Sequence, residues 1–128
     1  MSNQANAAGL LAFLWTTFEP GKASDEELKF LAGAACEASS TARSLSHTVS
    51  GVGCLVAEDL DNGQKSGALQ GEGLPSFLFG ISEQLDTIAQ MAFIGSEAAS
   101  YLDMRQGART KAVARRARTG EDSSKEGA

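Results

Sequence analysis

Apolar residues recur at alternating steps of three and four along two stretches of this chain, the period of a helix carrying one apolar seam. The first stretch runs Leu28, Leu31, Ala35, Ala38, Ala42, Leu45, Val49, Val52, Val56. The second runs Leu74, Leu78, Ile81, Leu85, Ile88, Ala92, Gly95, Ala99, Leu102. Folded back on each other, Leu28 meets Leu102, Ala38 meets Ala92, Leu45 meets Leu85 and Val56 meets Leu74; each pair of numbers sums to 130. The pattern predicts an all-α fold: an antiparallel helical hairpin whose two long helices share a seam.

Local signals set the ends of these helices. Leu10, Leu11, Leu14, Trp15 and Phe18 fall at helical spacing and predict a short N-terminal helix over 8–18, stopped by Glu19-Pro20-Gly21. Ser24 followed by Glu27 is a capping box, and Asp25, Glu26 and Glu27 place negative charge at the positive end of the helix dipole. The second helix is expected to reach 56–58, although Gly51 and Gly53 each cost about 1 kcal/mol relative to alanine. Residues 59–73 read as a long polar connection. Pro75 suits the first turn of a third helix, which is expected to end near Met104, before Gly107. The resulting organisation is a disordered N-terminus over 1–7, a helical domain over 8–104 and a disordered tail over 105–128.

The polar positions then say how many helices surround the seam. With Leu28 and Ala99 as a positions of their heptads, the flanking e and g positions of a two-stranded coiled coil would carry charges. Here they carry Ala32, Ser39, Ser46, Thr41, Thr48, Ser82, Ala89, Ser96 and Met91, among other uncharged residues, and only Glu27 and Asp103, at the helix ends, break the pattern. Lys29, Glu37, Arg43, Glu83, Asp86 and Glu97 all fall at b, c or f. Each helix therefore has an uncharged face wider than one partner covers, as in a bundle. The first helix and a second copy of the chain are the expected partners, giving a bundle completed by dimerisation; a compact three-helix monomer is the other arrangement this spacing permits. Phe79, Met91, Phe93, Ile94 and Tyr101 lie outside the seam. They are covered by the first helix or form a surface for a partner.

Composition sharpens this reading. Aromatic residues make up only 6% of the chain and glycines number 14, so its apolar share is built from small residues and predicts a thin, closely packed core. Residues 1–104 carry four basic and 13 acidic side chains, a net of −9. Residues 105–118 carry Arg105, Arg109, Lys111, Arg115, Arg116 and Arg118 without an acid. Such a block can contact nucleic-acid phosphates or an acidic partner, but it has no interleaved aromatics on which bases could stack. Cys36 and Cys54 stand 18 residues apart on one helix, roughly 27 Å at ~1.5 Å per residue, too far for a disulfide. Free thiols, no basic leader and no uninterrupted apolar span point to a cytoplasmic protein.

Candidate chemistry is sparse. His47 has no Cys, Asp or Glu four residues away to form a zinc-binding pair. The hydroxyl-rich run Ser39–Ser50 has no marked base to activate a nucleophile. Asp59–Gly63 departs from a calcium loop in the positions of its glycine and final glutamate, and Gly63–Gly67 lacks the spacing of a phosphate loop. The expectation is a non-enzymatic interaction or oligomerisation protein with no cofactor, metal, membrane or small-molecule substrate. The alternative is an accessory factor that binds nucleic acid through residues 105–118.

Overall fold

A computed structural model describes residues 5–63 and 73–123, with side chains to Arg118. It comprises three helices: α1 (Ala7–Thr17), α2 (Asp25–Asp61) and α3 (Gly73–Ser123). In the loop before α1, Asn6 caps the helix, its side-chain oxygen accepting the Gly9 N–H at 2.9 Å. At the start of α2 the capping box closes in both directions. The Glu27 carboxylate accepts the Ser24 N–H at 2.7 Å, and the Ser24 hydroxyl oxygen accepts the Glu27 N–H at 3.2 Å. Helix α2 passes through Gly51 and Gly53 and ends at Asn62-Gly63, where Gly63 adopts a left-handed φ of 64°. The expected disorder of residues 1–4, most of the 59–73 connection and the last five residues lie outside the described residues.

Two expectations are corrected. Helix α3 does not stop near Met104 but continues to Ser123, so residues 105–123 are helix rather than a disordered tail. Gly107 costs only about 1 kcal/mol, whereas the surrounding Ala, Arg, Lys and Gln are strong helix formers. Arg105 and Arg109, one turn apart, also tie this extension to the start of α2.

The second correction concerns the rotation of α3. Helices α2 and α3 pack along each other as the hairpin, and α1 packs on α3 rather than α2. A Cβ added to Gly95 would lie 2.8 Å from the Cβ of Ala35, so the helices touch backbone to backbone at this pair, whose numbers sum to 130. Leu28, Ala38, Ile94 and Ala98 are the buried apolar residues among those described. Leu74, Leu78, Leu85 and Ala92, expected in the seam, are exposed, as is Val49 on α2. Of the residues one position earlier in each heptad, Phe77, Met91 and Ala98 are more covered, while Gln84 is exposed. Turning α3 this way covers the bulkier Phe77 and Met91 and, with α1 also packed on α3, encloses Ile94 and Ala98.

Candidate interaction surfaces

The open end of the hairpin, where α3 passes the α1–α2 turn, is held by a polar clasp. The Arg105 guanidinium donates to the carbonyls of Ala23 at 2.7 Å, Pro20 at 3.0 Å and Gly21 at 3.0 Å, and to Asp25 Oδ1 at 3.0 Å. Arg109 donates to Asp25 Oδ2 at 2.8 Å. These two arginines hold the Asp25 carboxyl below its ordinary pKa, the Arg105 hydrogen bond contributing most. Glu27 is lowered likewise, first by the Ser24 backbone N–H and then by its hydroxyl. Of the six cations singled out in the sequence, two are thus engaged in joining α3 to the rest of the chain. Lys111, Arg115, Arg116 and Arg118 lie on the exposed helix beyond.

The expected partner surface divides. Phe79 is 71% exposed. Phe93 is half-exposed and meets Trp15 edge-on at 6.5 Å, while Trp15 stacks on Phe18 at 5.5 Å. Ile94 is buried, and Met91 and Tyr101 are half-buried. Phe30, 84% exposed, is an apolar side chain that the seam analysis passes over. It lies two residues after the seam residue Leu28, well round the helix from it, and its size was the only signal.

The two flanks of the hairpin differ. On one, Thr41, Leu45 and Thr48 of α2 face Phe77, Gly80 and Ile81 of α3 across an open groove of about 320 Å³. By their heptad positions, Leu78, Leu85 and Ala92 of α3 and Ser39, Ser46 and Gly53 of α2 belong to the other, and all six are exposed. Helix α1 leaves this second flank uncovered. Gln90, Ile94, Glu97 and Tyr101, on the far side of α3, are at least half-buried, while Ala89, Ala92, Ser96 and Ser100 are exposed.

The remaining candidates stand apart from one another. His47, Cys36 and Cys54 are exposed, and both cysteines are free thiols. Thr48 turns its hydroxyl onto the Ser44 carbonyl at 3.1 Å. Among the described residues no group of three His, Cys, Asp or Glu side chains could hold a metal ion, and no helix is long and apolar enough to cross a membrane. Comparison with protein-family models, curated proteins and solved structures finds no match.

Proposed function

We propose that this chain is a non-enzymatic helical protein that acts by contact, either self-associating or docking a protein partner through the faces its hairpin leaves bare. The carrying observation is the imbalance between buried and exposed apolar side chains. Leu28 is the one large side chain fully buried among the described residues, whereas more than a dozen large hydrophobics are exposed. Burial contributes about 25 cal/mol per Å², so a partner covering these faces supplies what the hairpin lacks. The test is thermal unfolding followed by circular dichroism across a hundredfold range of concentration. Self-association predicts a melting temperature that rises with concentration. A stable monomer melting cooperatively at one temperature throughout would contradict the need for a partner.

A second reading rests on the exposed cationic end of α3: Lys111 and Arg118, with Arg115 and Arg116 between them, could bind phosphates. It predicts affinity for duplex DNA falling steeply with salt, with a slope of about 0.9 per phosphate contacted. Its weakness is the net −9 of residues 1–104, which repels the same ligand.

A further inference from the structure

Resting on the second reading above, we infer that α3 beyond the clasp enters the major groove of duplex DNA, with Thr110, Val113, Ala114 and Ala117 towards the base edges. Past Arg109 the helix runs on for 14 residues to Ser123, about 21 Å beyond the start of α2 at ~1.5 Å per residue. Every side chain from Gln106 to Arg118 is exposed. The clasp fixes the root of this extension, so it leaves the hairpin in a set direction.

Three features select the occupant. The first is how charge is spread around the helix. At about 100° per residue, Thr110, Val113, Ala114 and Ala117 share one uncharged face. Lys111 and Arg118 border it on one side, and Arg109 and Arg116 on the other. A helix in the major groove has a phosphate strand along each flank and base edges beneath, so this arrangement offers cations to both strands. With Arg109 held by Asp25, the strand contacts fall to Lys111, Arg116 and Arg118.

The second is girth. Ala108, Ala112, Ala114 and Ala117 stand among the cations, and Val113 is the largest apolar residue of the stretch. A helix this slender fits a groove about 12 Å wide, and the small inner face suits contact with thymine methyl groups. Duplex RNA closes its major groove to side chains, and single strands are held by stacking aromatics, which this stretch lacks.

The third is the placing of acids. None occurs between Asp103 and Glu121. Glu83 and Asp86 lie about 40 Å from Lys111 along α3, several times the ~10 Å over which charge is screened at 0.1 M salt. At the root, Asp25 is paired with both arginines and Glu19 with Lys22. Asp103, on the uncharged face about 10 Å before Thr110, marks where the DNA-contacting stretch begins.

The test follows binding of the full chain to a fluorescent duplex of about 20 base pairs by anisotropy, from about 50 to 200 mM salt. The expected log–log slope is near 3, at ~0.9 for each of the three strand contacts. Ala114→Glu, on the inner face, and Ala112→Glu, on the far side, each place an acid four residues before an arginine, so only the face differs. Ala114→Glu should weaken binding roughly tenfold more than Ala112→Glu. Equal losses, or equal affinity for an RNA duplex of the same sequence, would overturn the groove seating while leaving the phosphate reading intact. No binding to the DNA duplex at the lowest salt would overturn both.

Discussion

At Gly95 the hairpin depends on a missing side chain. The Cβ that alanine would add reaches the Ala35 backbone, and backbone atoms cannot step aside as a side chain tip can. Gly95→Ala is expected to lose about 1–3 kcal/mol through overpacking, more than the ~1 kcal/mol that alanine gains in helix propensity. Gly33, on the same hairpin, has open space around it, so Gly33→Ala should gain up to ~1 kcal/mol. Opposite shifts in melting temperature for the two variants are the expected result; the same sign for both would contradict the close contact. The other end of residue-scale control is the α2 cap, where Ser24→Ala should cost about 1 kcal/mol. Asp25 and Glu27 both titrate below their ordinary values in the folded chain. Their stabilisation is present above the unfolded values near 4 and disappears as pH falls through the lower folded ones. A melting temperature that is level from pH 7 to 5 and declines below 4 is expected, with the decline shallower in Ser24→Ala. The cap was legible in the sequence because Ser24 and Glu27 interact three residues apart. Asp25 pairing with Arg105 was not, because 80 residues separate them and only the antiparallel register brings them level.

Helix α3 is where element-scale reasoning from sequence diverged from the structure. A glycine followed by a block of cations resembles a tail, yet the helix propensity of the same residues and two arginine anchors carry the helix on to Ser123. The rotation of α3 escaped the seam for a related reason. Three of the four residues that precede the a positions, Phe77, Met91 and Ala98, are apolar as well, Gln84 being the exception, so seven-residue spacing separates the two sets only weakly. Only packing against two helices chooses between them. The clasp carries a prediction of its own. Arg105 reaches three backbone carbonyls and a carboxylate with one planar group, a geometry lysine cannot copy. Arg105→Lys should therefore destabilise the chain nearly as much as Arg105→Ala, by about 1–2 kcal/mol. Full rescue by lysine, measured by chemical denaturation, would show that charge alone matters there.

On the scale of the whole molecule, three helices leave much apolar surface exposed, and the proposed function rests on that exposure. The hairpin and its antiparallel direction were legible from periodicity; the uneven cover given by α1 was not, since α1 is short and its apolar residues lie on several sides. That unevenness leaves one flank of the hairpin bare and uncharged, and makes self-association the central claim. Leu85→Glu places a charge on this flank at a position already exposed, so it should abolish association while the helical content of the chain is retained. The most direct measurement is the solution mass of the full-length chain by light scattering, from micromolar to several hundred micromolar. Twice 13.3 kDa at the upper concentrations, with Leu85→Glu remaining at 13.3 kDa, is the predicted result. A mass of 13.3 kDa for the unaltered chain at every concentration would contradict it.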